Sequence, residues 1–262
     1  MDPSTIAGGT DKPKLLDIRN WLTSYACFRV ATRALVLCVA GAGLCAVPPP
    51  ALAAETTAEF ALRWDARDGG PQSGEQALVA LGIRVPRASA FAVDYYDLPP
   101  NPPVLPGFEA ILRRRVDASG NAELTWKLRG DRAMPAWTCP LRNVAKSKSE
   151  ADVTLGTGDT ISRRYSYSCT SEDAEAAATE LAATRKGCTV AMKRWTRNGL
   201  RVEEWRLPGG VRLIEVSRAG ADTAADLDAF RRKIAAPLLA AGTMPIVNSK
   251  TELGSNCKIG SG

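Results

Sequence analysis

Charged side chains alternate with apolar ones along a predicted β-hairpin at residues 111–130. In the two-residue period of a strand, Arg113 and Arg115 project from one face of the first strand, and Glu123 and Lys127 share one face of the second. Guanidinium and ammonium groups bind phosphate oxygens, whereas carboxylates bind hard divalent cations. The charged face is therefore either a solvated surface, which is the more common arrangement, or the lining of an anion site.

The amino-acid composition limits the chemistry that such a face could perform. The chain contains no histidine, which excludes Ser-His-Asp and Cys-His nucleophile systems and histidine metal sites. Any catalysis must use carboxylates, Lys, Arg, Tyr or a hard metal ion held by oxygen ligands.

The elements that must position these residues are mostly short strands. Segments bounded by turn residues predict strands at 58–64, 89–98, 148–156, 161–170, 189–197, 201–207 and 211–217, in addition to the hairpin. Helices are predicted in GEQALVALGI, EDAEAAATELAATRK and TAADLDAFRRKIAAPLLAAG. Runs of hairpins with few helices indicate an α+β fold with a mostly antiparallel sheet.

Charge on one face of almost every predicted strand indicates a shared interior. If the strands close into a mostly antiparallel, eight-stranded, tunnel-like barrel with flanking helices, these faces line its lumen. Glu203 and Glu204 are expected to form surface ion pairs with arginines of their own strand, unless one of them serves as a metal ligand. The tryptophans expected in the core are Trp64, Trp126, Trp195 and Trp205.

The N-terminal segment has the order of features found in a secretory signal. Arg29 and Arg33 precede an uncharged run at 34–47, which is followed by Ala-Leu-Ala at 51–53. The run is short for a transmembrane helix, which needs about 20 residues. We expect a signal peptide at 1–53 cleaved after Ala53, a single domain at 54–262, and a periplasmic or secreted protein that meets a membrane only if the signal stays uncleaved.

The segment that remains after such cleavage contains four cysteines, and its charge is nearly balanced. An even number of cysteines in an exported chain favours two disulfides with three alternative pairings, and a zinc site is the competing interpretation, although the sequence has no Cys-x-x-Cys pair. With 29 cations against 25 anions, the net excess of four does not indicate a nucleic-acid partner. The cysteines are Cys139, Cys169, Cys188 and Cys257.

Several motifs, taken in order, resemble the CYTH superfamily of triphosphate tunnel metalloenzymes, which includes class IV adenylate cyclases, thiamine triphosphatases and inorganic triphosphatases. Glu59-x-Ala61-x-Arg63 is similar to the Glu-x-Glu-x-Lys of the family's first strand. The resemblance covers most of residues 58–250, and its further motifs are Tyr95-Tyr96-Asp97, Leu112-Arg113-Arg114-Arg115, Leu124-Thr125-Trp126-Lys127, Lys148-x-Glu150-x-Asp152, Lys193 to Arg197, Glu215-Val216-Ser217 and Ser249-Lys250.

The resemblance implies a site for a small anionic phosphate compound together with Mg²⁺ or Mn²⁺. Ala61 and Ser217 replace glutamates that normally help to hold the metal in the family. The implied phosphate ligands are Arg63, Arg113, Arg115, Lys127, Lys148, Lys193, Arg197 and Lys250. The implied metal ligands are Glu59, Glu123, Glu150, Asp152 and Glu215.

Three functional hypotheses follow from these observations. The first is an exported metal-dependent triphosphatase or phosphohydrolase that binds a triphosphate or polyphosphate in a basic tunnel. The second is a non-catalytic polyanion-binding protein, which the replacements at positions 61 and 217 favour. The third is an envelope structural or interaction protein whose charges face water.

Overall fold

The computed structural model describes residues 57–98, 101–133, 137–158, 160–181 and 184–254, without the side chains of 180 and 184–188. The predicted signal peptide and Cys257 lie outside these segments, as does the Cys188 side chain. Within the described segments, none of the helices has the length and apolar character needed to cross a membrane.

Nine strands form the framework, and short helices lie between or after them. The strands are β1 (Thr57–Asp65), β2 (Ser89–Asp97), β3 (Phe108–Asp117), β4 (Ala122–Gly130), β5 (Val144–Leu155), β6 (Ile161–Ser171), β7 (Thr184–Arg197), β8 (Leu200–Arg206) and β9 (Arg212–Ala221). The helices are α1 (Gly74–Ala80), α2 (Ala174–Glu180), α3 (Ala224–Phe230), α4 (Ala236–Ala240) and α5 (Lys250–Gly254), with a 3₁₀ turn at Pro208–Gly210 and a π-helical turn at Arg231–Ala235.

Side-chain caps and proline set the ends of the helical segments. Ser73 accepts a hydrogen bond from the Gln76 N–H at 3.1 Å and so begins α1. The predicted second helix is shorter than expected, because β7 already begins at Thr184. The predicted C-terminal helix is interrupted by the π-helical turn just before Pro237, whose missing N–H cannot continue the regular ladder.

The strands close into one barrel in the order β1-β5-β6-β4-β3-β2-β7-β8-β9. The prediction of a barrel in an α+β fold is confirmed, but the strand number of eight is wrong, because all nine alternating segments enter the sheet. A closed ring with only antiparallel neighbours needs an even number of strands. Nine strands therefore require a parallel pair, and β1 and β5 supply it, while the other neighbours are antiparallel.

The apolar faces of the strands pack outside the barrel under the helices. Phe60, Leu62 and Trp64 of β1 are almost fully buried, and the Phe60 ring lies 6.0 Å from the Phe230 ring of α3. On the opposite side, Trp126 of β4 belongs to a second buried cluster that includes residues of α2. Burial of these large side chains is the main stabilising contribution, because each removes extensive apolar surface from water.

A disulfide fixes a loop over this second cluster. Cys139 and Cys169 are bonded, with Cα atoms 6.2 Å apart and a sequence separation of 30. The loop carries Trp137, whose ring contacts Tyr167 edge-on at 5.3 Å. This bond belongs to one of the three alternative pairings, whose second disulfide, between Cys188 and Cys257, lies outside the described residues and stays a prediction.

Loss of this disulfide is expected to lower the free energy of unfolding by about 3 kcal/mol, since the cross-link removes conformational entropy from the unfolded chain. Urea denaturation of the oxidised protein and of a Cys139→Ala/Cys169→Ala variant measures the difference. Reductant should destabilise the wild-type protein and leave the double variant nearly unchanged. Identical midpoints for the oxidised protein and the double variant would contradict the prediction.

Candidate functional site

The interior of the barrel contains a charged cavity of about 390 Å³. Ten Lys or Arg and six Asp or Glu side chains line it, which leaves an excess of four positive charges. The cations are Arg63, Arg113, Arg115, Lys127, Arg129, Lys146, Lys148, Arg194, Arg201 and Lys250, and the anions are Glu59, Glu123, Glu150, Asp152, Glu203 and Glu215.

Strand alternation explains why the hairpin contributes so many of these side chains. Arg113 and Arg115 of β3 and Lys127 of β4 line the cavity, whereas Leu112 and Trp126 lie in the outer apolar cluster. Because the outer face is covered by α2 and the disulfide-linked loop, the charged face of the hairpin becomes an interior surface. The simpler alternative of a solvated face does not apply here.

Most of the site residues implied by the family resemblance meet in this cavity. All five implied metal ligands line it, as do six of the eight implied phosphate ligands. Lys193 and Arg197 do not: both are exposed. The cause is the register of β7, because Trp195 packs outward against Gly74 of α1, where an added Cβ would lie 2.3 Å from the Trp195 ring. Arg194 therefore points inward instead.

Five charged residues of the cavity were not among the site residues that the sequence implied. Glu203 was expected on the surface, but its side chain is only 2% exposed and lies inside the barrel. Its neighbour Glu204 is also buried and accepts a hydrogen bond from the Gly74 N–H at 3.1 Å. The strand period alone could have indicated that these two glutamates face opposite ways. The five missed residues are Arg129, Lys146, Arg194, Arg201 and Glu203.

Three carboxylates, which we call the carboxylate triad, approach one another at one side of the cavity. Glu59 of β1 and Glu150 and Asp152 of β5 place one oxygen each within 4.8 Å of the others. The parallel pairing of β1 with β5 brings them together, because it sets Glu59 directly opposite Asp152. The chemistry of this donor set fits Mg²⁺ or Mn²⁺, which prefer oxygen ligands.

Each carboxylate of the triad already has a cationic partner. Lys127 Nζ donates to Asp152 Oδ2 at 2.9 Å, and Arg129 Nε donates to the same oxygen at 3.1 Å. Lys148 Nζ forms an ion pair with Glu150 and lies 3.9 Å from Glu59 Oε2. These contacts hold the triad together despite its like charges.

Burial and neighbouring charges shift the pKa values of the triad in different directions. Burial acts to raise the pKa of Asp152, but Lys127 and Arg129 outweigh it, so that the pKa is lowered. Burial likewise opposes Lys250 and Arg201 at Glu59, whose pKa is also lowered. The pKa of Glu150 is raised, first by burial and then by the negative charge of Glu59. Of the three carboxyls, that of Glu150 therefore takes up a proton most readily.

A second part of the cavity, the arginine cluster, consists of Arg113, Arg115 and Arg194. The guanidinium carbons of Arg115 and Arg194 lie 5.5 Å and 5.2 Å from the centre of the Phe91 ring. Burial, followed by the positive charges of Arg113 and Arg194, lowers the pKa of Arg115 to about 9. Like charges are thus held close together at this point.

The arginine cluster has unused capacity for hydrogen bonding to an anion. Arg115 donates to Glu123 at 2.8 Å, but its buried Nε has no hydrogen-bond partner. Within the described segments, Arg113 forms neither an ion pair nor a side-chain hydrogen bond. A buried donor without a partner is costly, so an anion bound here would relieve that cost as well as the repulsion between arginines.

The C-terminal segment closes one end of the cavity through Lys250 of α5. Lys250 Nζ donates to Glu203 Oε2 at 2.6 Å and to Glu215 Oε1 at 2.7 Å. Arg63 Nε bonds the other oxygen of Glu215 at 2.8 Å, and its NH1 donates to the carbonyl of Asn248 at 3.0 Å. These residues, which we call the Lys250 network, attach the C-terminal segment to β1, β8 and β9.

Comparison with known proteins finds similarity among solved structures alone. Neither a protein-family model nor a curated protein sequence matches the chain. Among solved structures, the chain is similar to a conserved hypothetical protein from Pyrococcus furiosus, with 14% identity and a TM-score of 0.42 over 75% of this chain and 99% of that one.

Two further similar structures carry descriptions related to the resemblance noted in the sequence. A "putative adenylate cyclase" from Vibrio parahaemolyticus has 11% identity and a TM-score of 0.44 over 76% of this chain and 98% of that one. A "putative adenylyl cyclase" from Hippeastrum, described as having a dominant triphosphatase activity, has 12% identity and a TM-score of 0.41 over 73% and 91%.

The closed barrel agrees with the tunnel-like barrel that the family resemblance implies. At such low identities and TM-scores, a function for this chain must be argued from its own cavity.

Proposed function

We propose that the barrel binds a triphosphate- or polyphosphate-type anion. The arginine cluster is the observation that carries this proposal. It combines three close guanidinium groups with two features of the described residues: the buried Nε of Arg115 has no hydrogen-bond partner among them, and Arg113 has no ion pair. Burying a polyanion requires fixed cations that replace its lost hydration. Guanidinium groups suit this task, since their planar donors match pairs of phosphate oxygens.

The triad makes metal-dependent hydrolysis the first candidate activity. Glu59, Glu150 and Asp152 would hold Mg²⁺ or Mn²⁺. A bound metal would supply polarisation of a phosphoryl oxygen and activation of a water molecule. The arginines and Lys127 would orient the phosphate chain and neutralise the charge that develops on it.

A non-catalytic polyanion receptor is the second candidate function. The observation that favours it is the neutralisation of every triad carboxylate by the chain's own cations. The third hypothesis, a structural protein with its charges in water, is less favoured, because most of these charges line an internal cavity. The disulfide between Cys139 and Cys169 supports the proposal that the protein is exported.

Isothermal titration of the disulfide-bonded protein tests these functions. The titrants are tripolyphosphate in metal-free buffer and, separately, the preformed Mn²⁺–tripolyphosphate complex. Binding of the complex alone, followed by phosphate release, would support the hydrolase. Metal-independent binding without phosphate release would support the receptor. If neither titrant binds, the proposed function is wrong.

A further inference from the structure

Arg201 of β8 reaches across two strands towards the carboxylate triad. In the register of the barrel, Arg201 lies opposite Ser217 of β9, and Ser217 lies opposite Ala61 of β1. Ala61 and Ser217 are both small, so the guanidinium group can extend over them to Glu59. Arg201 NH1 donates to Glu59 Oε1 at 3.2 Å.

The hydrogen bonds of Glu59 fall on one of its two carboxylate oxygens. Ser217 Oγ donates to the same Oε1 oxygen at 2.8 Å, and Lys148 lies 3.9 Å from Oε2. The chain thus places its own cations and a hydroxyl donor around the carboxylate. The two positions where the family resemblance implies metal-binding glutamates are the ones that Arg201 spans.

The triad is neutralised by the chain's own cations when the cavity holds no anion. Three carboxylates face four cations that contact them, one of which, Arg129, also lies 3.9 Å from Glu109. A divalent cation entering alone would be repelled by these cations and would have to displace at least one of them. A polyphosphate has the opposite effect, because it competes with the carboxylates for the same cations. The four cations are Lys127, Arg129, Lys148 and Arg201.

We propose that Arg201 is a positioning residue that couples the two ions: it pairs with Glu59 when no anion is bound, and a polyphosphate draws it away so that a divalent cation can join the triad. This inference rests on the proposed function. Arg201 is suited to the exchange because it already lines the cavity and its side chain is 41% exposed, so it is not fixed by packing. Since coupling between two ligands is reciprocal, each ion should strengthen binding of the other.

The test is a substitution of Arg201 that should change the affinities for Mn²⁺ and for tripolyphosphate in opposite directions. In Arg201→Gln, we expect Mn²⁺ alone to bind at least about 10-fold more tightly than in the wild-type protein, because the competing cation is gone. Tripolyphosphate in metal-free buffer should bind about 10-fold more weakly, because one charge-assisted contact is lost. Electron paramagnetic resonance of free Mn²⁺ and calorimetry measure the two affinities.

Arg206→Gln is the matched control, because Arg206 lies on the same strand but is exposed and does not line the cavity. It removes the same charge and should leave both affinities nearly unchanged. A thermal melt and the far-ultraviolet circular dichroism spectrum show whether each variant keeps the fold. Arg201→Lys, which retains a positive charge near Glu59, should keep Mn²⁺ binding weak.

Three outcomes would overturn the inference. Unchanged Mn²⁺ affinity in Arg201→Gln would show that Arg201 does not compete with a metal at Glu59. Tighter Mn²⁺ binding with unchanged tripolyphosphate binding would show that Arg201 only repels the metal. If the wild-type protein binds no tripolyphosphate in any form, the proposed function fails and the coupling fails with it. The first two outcomes leave the proposed function intact.

Discussion

Replacing Glu203 with Gln is expected to lower the free energy of unfolding by about 3–5 kcal/mol. The Glu203 carboxylate is almost fully buried and bonds Arg194 Nε at 2.9 Å, Lys250 Nζ at 2.6 Å and Trp205 Nε1 at 3.1 Å. An amide cannot neutralise these two cations, which would remain buried without sufficient negative charge. Urea denaturation followed by circular dichroism measures the loss.

Glu204→Gln is the control for this substitution. Glu204 is also buried, but within the described residues its carboxylate forms no ion pair and accepts a hydrogen bond from the Gly74 N–H. A glutamine oxygen can accept the same bond, so the loss should be below about 1 kcal/mol. Equal losses in the two variants would show that the ion pairs of Glu203 contribute nothing specific.

The decrease in the free energy of unfolding at acid pH gives an independent measurement of the contribution of Glu203. Burial acts to raise the pKa of this carboxyl, but Lys250 and Arg194 outweigh it and hold the pKa well below 4.5. A group whose pKa is lower in the folded state stabilises the protein above its unfolded pKa, and that contribution is lost as the pH falls through the folded value. The wild-type protein should therefore lose stability more steeply below about pH 4.5 than Glu203→Gln.

Reversing the charge of Arg113 is expected to weaken tripolyphosphate binding by about 1000-fold. One charge-assisted hydrogen bond contributes about 1.5–3 kcal/mol, and a carboxylate at this position adds repulsion of similar size. Because Arg113 has no ion pair within the described residues, Arg113→Glu should leave the unfolding midpoint close to that of the wild-type protein. Isothermal titration with tripolyphosphate and a thermal melt measure the two quantities.

Arg197→Glu is the control that shows whether the loss of tripolyphosphate binding in Arg113→Glu comes from a local contact or from the change in net charge. It changes the net charge by the same amount, but Arg197 is exposed and lies outside the cavity. This variant should bind tripolyphosphate within about threefold of the wild-type protein at 0.15 M ionic strength, where the Debye length is about 8 Å. A similar loss in both variants would mean that the anion is attracted by overall charge and not held by the arginine cluster.

Alternation along the strands allowed much of the cavity to be predicted. In β4 every second residue from Glu123 to Arg129 is charged or polar, and the residues between them, Leu124, Trp126 and Leu128, are large and apolar, so the inner face of that strand is unambiguous. In β7, Val190 and Met192 fall on one face and Trp195 on the other, and all three are buried. Since both faces carry apolar residues, the pattern does not show whether Lys193 or Arg194 points inward.

Long-range ion pairs explain the remaining failures of prediction. The partners of Glu203 include Lys250, which lies 47 residues further along the chain and meets it only because α5 enters the end of the barrel. A local period cannot reveal such a contact, so Glu203 was assigned to the surface. The strand number is a different case, because each of the nine strands corresponds to an alternating segment of the sequence; what no local pattern could show is that β1 pairs in parallel with β5.

The position of β1 in the ring has a consequence for how the chain acquires its structure. The partners of β1 are β5 and β9, so Ala58 pairs with Ala151 on one side and with Gly220 on the other. The strand that leaves the ribosome first must therefore wait for the middle and the end of the chain, and such non-local pairing is slow. Until β9 is made, one edge of β1 and one edge of β8 have no partner, and unpaired strand edges are where growing chains join one another. The ring protects the protein against such association only once it is complete.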